Sequence, residues 1–166
     1  DPLRGGLVGV ALGWDPEQLW YLPLGHRTAY ALELGGDGAR ASHNLPPLTD
    51  AAMGPLRAVL EDPGVAKVGH DLKRSALALS RGGVTLRGEA FDAMVASYLL
   101  DPGRRGHGLE VLSVDFLGRA ATAMDEVLGT GRGRVGFAQV PVERARDWLC
   151  ERAELALLLE RRLAPE

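Results

Sequence analysis

With 166 residues, 46% of them hydrophobic and 25% charged, the sequence is long enough for one domain with a sizeable core, and its composition excludes a disordered chain. A formal net charge of −3 excludes a global basic footprint, so any nucleic-acid contact has to be local or supplied by another domain. The single cysteine, Cys150, excludes an internal disulfide. It points to a reducing compartment and is expected to be a small buried apolar side chain. The sequence has no Cys/His zinc spacing, no apolar run near the roughly 20 residues of a membrane span, and no charged-then-apolar leader at its amino terminus. The expected location is cytoplasmic, with no membrane partner.

Residues 7–12 (Leu-Val-Gly-Val-Ala-Leu) predict a buried strand, 13–17 a turn, and 18–24 (Gln-Leu-Trp-Tyr-Leu-Pro-Leu) a second strand closing a hairpin, with Pro23 at its edge or end. Residues 25–47 predict loop, because Gly35, Gly36 and Gly38 crowd together and Pro46-Pro47 closes the segment. A helix over about 50–61 is capped by Thr49 or Asp50 and stopped by Asp62-Pro63-Gly64. A short strand at 65–68 then ends at Gly69, and an amphipathic helix follows with Leu72, Ala76 and Leu79 at helical spacing and Asp71 at its mouth. That strand-turn-helix corner is where α/β sheets hold functional groups, since the loop is fixed by the scaffold yet open to solvent.

Gly82-Gly83 ends that helix, and 84–87 predicts a further strand. Helices are expected over 91–100, stopped by Asp101-Pro102-Gly103, and over 108–117 with Leu109, Leu112 and Phe116 inward. A short helix around 122–128 precedes a glycine-rich run, 129–136, carrying Arg132 and Arg134. The longest helix covers about 142–163, with Pro141 in its first turn and Ala145, Trp148, Leu149, Ala153, Ala156, Leu157 and Leu158 as its apolar residues. His26, His43, His70 and His107 are scattered over loops and turns and form no ligand cluster. Trp14, Trp20 and Trp148 are expected to be packing residues, leaving no aromatic platform for single strands.

Several phrases occur in a fixed order: Leu-Val-Gly-Val-Ala-Leu, Tyr-Leu-Pro-Leu-Gly-His, Leu-Glu-Asp-Pro, Lys-Val-Gly-His-Asp-Leu-Lys, Leu-Arg-Gly-Glu-Ala-Phe-Asp-Ala-Met and Ser-Tyr-Leu-Leu-Asp-Pro-Gly-Arg-Arg. Together they resemble the 3′-5′ exonuclease (proofreading) domain of bacterial DNA polymerase I, a family A polymerase. The likeness runs over nearly the whole chain, read as a single 3′-5′ exonuclease-like domain, 1–166, truncated at its amino end. It implies a ribonuclease-H-like (DnaQ-like) α/β fold: a mixed sheet with an antiparallel hairpin at one side and parallel strands at the other, flanked by helices. The family's central first strand, with its Asp-x-Glu, would precede Asp1. Without it the chain is expected to show a gap in the sheet, a repaired pairing across it, or instability when alone.

The chemistry implied is phosphodiester hydrolysis by two divalent ions roughly 3.5 to 4 Å apart. Mg²⁺ or Mn²⁺ takes oxygen ligands, so such sites gather carboxylates. Against the family pattern the second-motif Asp falls on Ser75, and the third-motif Tyr-x-x-x-Asp falls on Trp148 and Arg152. No catalytic position is intact in this comparison, and no cofactor is expected in the chain as it stands. Asp71 and Glu151 are possible substitute ligands, but a one-turn offset moves a carboxylate by about 5 to 6 Å. Asp71 is expected to cap its helix instead, Asp92 to do the same for the next one, Glu151 to lie on a solvated face, and Ser75 to close a vacated pocket. Arg104, Arg105, Arg132 and Arg134, all in loops, are candidate contacts to DNA phosphates. The resemblance implies two partners, the single-stranded 3′ end of DNA and a polymerase domain in the same polypeptide. The expected function is a catalytically inactive structural module of a replication and repair polymerase; the alternative is an active two-metal exonuclease that uses Mg²⁺ or Mn²⁺.

Overall fold

A computed structural model describes residues 5–27 and 44–166. His43 and the glycine cluster at 35–38 lie outside the described residues. The chain begins with an antiparallel hairpin, β1 (Gly9–Asp15) and β2 (Gln18–Pro23). Val8 C=O accepts from Leu24 N–H at 2.9 Å, and Pro23 faces Gly9, a position where the ladder needs no N–H. Gly9 is required there, because a Cβ on it would lie 2.1 Å from the Tyr21 hydroxyl.

A turn of 3-10 helix (Ala51–Met53), capped by the Asp50 carboxylate, leads into α1 (Gly54–Glu61). β3 (Lys67–Gly69), α2 (Leu72–Arg81) and β4 (Glu89–Asp92) form a β-α-β unit in which the strands pair in parallel. Two expectations are corrected here. Residues 84–87 are not a strand: Val84, Thr85 and Arg87 donate their N–H groups to Leu79 C=O, the Glu61 carboxylate and Leu60 C=O, so helices α1 and α2 take the bonds a ladder would need. Gly88 then turns the chain at φ 75°, and β4 starts after it. Phe91 and Asp92, expected in a helix, belong to β4, and α3 (Ala93–Leu100) begins only once the Asp92 carboxylate has capped it.

α4 (Leu109–Leu117), the short α5 (Met124–Leu128) and α6 (Val142–Leu163) complete the chain. α6 packs against β1, β2, β3, α3, α4 and α5. Its buried residues are Ala145, Trp148, Leu155, Ala156, Leu159 and Leu163. The carboxyl half therefore turns Leu155, Leu159 and Leu163 inward at i, i+4, i+8 spacing, whereas Leu157 and Leu158, expected inward, are half-buried.

The core has three parts. Leu48, Met53, Leu60, Leu79 and Val84 pack between α1, α2 and the hairpin. Ala93, Leu109 and Leu112 meet Leu155, Leu159 and Leu163 along α3, α4 and α6. Val127, Leu128, Val140, Ala145 and Trp148 form the third, against Tyr21 and Phe137. Among the described residues the hairpin and the parallel pair are two separate two-stranded sheets, with no ladder joining β1 to β3. The fold is α/β, with both sheets packed against α6.

Candidate functional site

At the corner between β3 and α2, Asp71 is the only described non-glycine residue with left-handed backbone, φ 55°. Asp tolerates that region better than most residues. Its carboxylate caps α2 by accepting from Arg74 N–H at 3.3 Å, as expected. Asp92 does more than cap its own helix. Its two oxygens accept from Asp71 N–H (3.0 Å), Leu72 N–H (2.8 Å) and Met94 N–H (2.9 Å), so one buried-edge carboxylate fixes the start of both α2 and α3. Ser75, one turn further along α2, is exposed. It does not close a buried pocket.

The third-motif positions lie on α6. Trp148 is 7% exposed, packs 5.6 Å from Phe137, and donates its indole N–H to Thr122 C=O at 3.0 Å. Arg152, one turn on, lies 3.9 Å over the Trp148 ring, reaches the same carbonyl at 3.4 Å, and forms an ion pair with Glu110 of α4. Burial pushes the Glu110 carboxyl up, but the hydrogen bond from its own backbone, the Arg152 charge and hydrogen bond, and nearby His70 outweigh that, holding it below the usual range. Glu151, expected on a solvated face, accepts from Thr122 N–H at 2.9 Å. Thr122 is therefore gripped at both its N–H and its C=O by three residues within one turn of α6.

Trp148, Glu151 and Arg152 thus come together, whereas Asp71 and Ser75 stay on α2, and no described hydrogen bond or ion pair joins those two to α6. The link between the two places is indirect. His70 donates from Nε2 to His107 C=O at 2.8 Å and lies close enough to Glu110 to influence its charge, while His107 Nδ1 and buried Ser97 share a 2.9 Å hydrogen bond. The roles of Glu110, Thr122 and His107 had no sequence signal, because their partners lie 10 to 42 positions away. Among the described residues no group of three or more His, Cys, Asp or Glu side chains could hold a metal ion.

Of the four loop arginines, Arg104 pairs with Asp115 and lies 4.6 Å over Phe116, and Arg134 pairs with Asp125. Arg105 and Arg132 are exposed. Trp14 and Trp20 are not packing residues. They are 69% and 42% exposed and stack on one another at 4.4 Å on the outer end of the hairpin, an aromatic pair that sequence reasoning had not anticipated. Cys150 is half-buried, and burial pushes its thiol up, with smaller opposing influences from Arg146 and Asp147.

Two concavities flank these elements. A cleft of about 520 Å³, lined by charged and apolar side chains together, lies along α6 and includes Trp148, Cys150 and Glu151. A larger, more apolar groove of about 760 Å³ follows the outer side of β4, lined in part by Leu72, Leu77, Phe91, Val95 and Leu99.

The family described as DNA polymerase I, ribonuclease H-like domain matches residues 45–145. DNA polymerase I of Rhizobium leguminosarum is 38% identical over 168 residues, covering 96% of this chain and 16% of that protein. DNA polymerase I of Pseudomonas aeruginosa is 33% identical over 165 residues, covering 98% of this chain and 17% of its own length. This chain therefore spans about a sixth of the curated relatives it matches. A solved structure of the POL domain of Pol1 from M. smegmatis, in complex with DNA primer-template and dNTP, is 30% identical with a TM-score of 0.48, covering 68% of this chain and 17% of that one. A family match over 101 consecutive residues, the same domain that the ordered phrases resemble, together with relatives 33% and 38% identical over nearly the whole chain, settles the assignment: the chain belongs to the ribonuclease-H-like, 3′-5′ exonuclease domain family of DNA polymerase I.

Proposed function

We propose that this chain is a 3′-5′ exonuclease-like domain of a family A DNA polymerase, retained as a structural module without proofreading chemistry. The observation that carries this reading is Arg152. Its guanidinium is fixed by the Trp148 ring, Thr122 C=O and Glu110, at the position where the family places a metal-binding carboxylate. A permanent cation held there opposes a dication in the same place. The other positions do not fit Mg²⁺ or Mn²⁺ either: Ser75 offers an exposed neutral hydroxyl and Trp148 only an N–H donor that is already used. The carboxylates of Asp71 and Glu151 accept from backbone N–H groups at two separate places.

On this reading the single domain completes its sheet with a further strand of the longer polypeptide, seated between β1 and β3. The unjoined inner edges of those strands support it, since open edges leave backbone groups unpaired. The partners are the polymerase domain of the same polypeptide and the single-stranded 3′ end of DNA, with exposed Arg105 and Arg132 as the cations best placed to meet phosphate.

Incubation of the full polypeptide with a 3′-labelled single strand and Mg²⁺ or Mn²⁺ tests the proposal. The terminal nucleotide is expected to stay in place. Its metal-dependent release, abolished by Asp71→Asn or Glu151→Gln, would instead establish an active two-metal exonuclease.

A further inference from the structure

Residues 119–128 run as a strap along α6, between two glycines with left-handed φ, Gly118 at 65° and Gly129 at 76°. The two ends of the strap are held differently. Val127 and Leu128 are buried in the core beside Trp148, an apolar anchor. Residues 119–123 are fastened to α6 mainly by polar contacts, with the small half-buried Ala121 as their one apolar contact to the core that Leu155 and Leu159 line. Arg119 forms a two-pronged ion pair with Glu154, at 2.6 and 2.9 Å. Thr122 donates its N–H to Glu151 at 2.9 Å, and its carbonyl accepts from Trp148 Nε1 at 3.0 Å and Arg152 Nη1 at 3.4 Å. The cleft of about 520 Å³ is bounded by both partners: Arg119 and Thr122 on the strap, Trp148, Cys150, Glu151 and Glu154 on α6.

Polar contacts that water can replace hold a segment far less firmly than buried apolar area does, so such a segment opens at a free energy well below that of global unfolding. We propose that residues 119–123 are a latch over the α6 cleft, with Thr122 as its catch, opening as a local unit while α4, α6 and the Val127–Leu128 anchor stay folded. In the closed state of this structure the Thr122 peptide is pinned against the Trp148 and Glu151 side chains, which also line the cleft. In the open state Thr122 leaves, and Cys150, already half-buried on the cleft wall, gains further exposure. The device is independent of nuclease chemistry, so its failure would leave the functional proposal standing.

The test is hydrogen exchange read by mass spectrometry on the full polypeptide, together with peptide-mapped alkylation of Cys150 by iodoacetamide. Glu151→Ala removes the acceptor for Thr122 N–H, and Arg119→Ala removes the outer ion pair from an exposed position. Loss of one such contact is expected to speed exchange in peptides covering 118–124 roughly fivefold. Cys150 alkylation is expected to accelerate with it, while the β1–β2 hairpin and α2 keep their rates. Unchanged exchange at 118–124 in both variants, or acceleration spread evenly over the whole domain, would overturn the latch.

Discussion

His26 is only 3% exposed, yet both its ring nitrogens are engaged. Val140 C=O can only accept, so Nδ1 carries a proton, and Nε2 shares a 2.5 Å hydrogen bond with the Tyr21 hydroxyl. Its backbone is tied to the Asn44 side chain in both directions, at 3.0 and 2.9 Å. Tyr21→Phe strands the buried Nε2, and a loss of about 1–3 kcal/mol is expected in denaturant unfolding. The same residue sets an alkaline limit. Burial, with a smaller influence from Cys150, pushes the Tyr21 phenol up to about 12, above its ordinary value of 10.0. Between those two values the folded chain keeps a proton the unfolded chain has lost, so stability falls as pH rises through that window. The Tyr21→Phe variant should lack this part of the decline when denaturation midpoints are compared over that range. Glu110 works with the opposite sign. Its lowered carboxyl contributes stability above its unfolded value of 4.5 that is lost as pH falls, and Glu110→Gln should flatten that part of the acid limb.

At the scale of elements, the corner after β3 is held by a neighbour rather than by itself. Asp92 satisfies three backbone N–H groups from two helices, an arrangement that only the parallel pairing of Gly69 with Asp92 brings about. Asp92→Ala is expected to cost about 2–3 kcal/mol, more than a single cap, because two helix starts lose their acceptor together. A denaturation midpoint near wild type would show that water replaces the carboxylate. The α4–α6 seam combines an apolar line (Leu109 and Leu112 against Leu155 and Leu159) with flanking charges, Glu110 to Arg152 and Arg119 to Glu154. The apolar line explains why a long amphipathic period was legible at 142–163. The charged flanks join α4, or the residue pair just after it, to α6 over 35 to 42 positions, beyond any local pattern.

For the whole molecule, the consequence of two unjoined sheets is written in the backbone of β1. The Val8–Leu24 bond and the register direct Val10 and Leu12 toward β2, which leaves Ala11 N–H on the open side. In the 166-residue chain alone Ala11 should exchange quickly while Val10 and Leu12 are protected; in the full polypeptide a strand seated in the gap should slow Ala11 as well. Equal protection of all three in the isolated chain would mean the edge is already covered. The sequence by itself determined the hairpin, the β3–α2 corner, the caps at Asp71 and Asp92, the six helices described and the family, and narrowed the cap before α1 to Thr49 or Asp50, because alternation, helical periodicity, capping and proline or glycine stops act over a few residues and survive in any context. It misplaced β4, the inner face of the second half of α6, and the exposure of Trp14 and Trp20. Those depend on which backbone groups α1 and α2 have already taken, on which side α4 packs, and on what covers the hairpin end. Only the tertiary structure decided that Trp148, Glu151 and Arg152 converge on Thr122 and that Arg152 spends its charge on Glu110, since a contact between positions 110 and 152 exists only after the chain has closed α4 against α6.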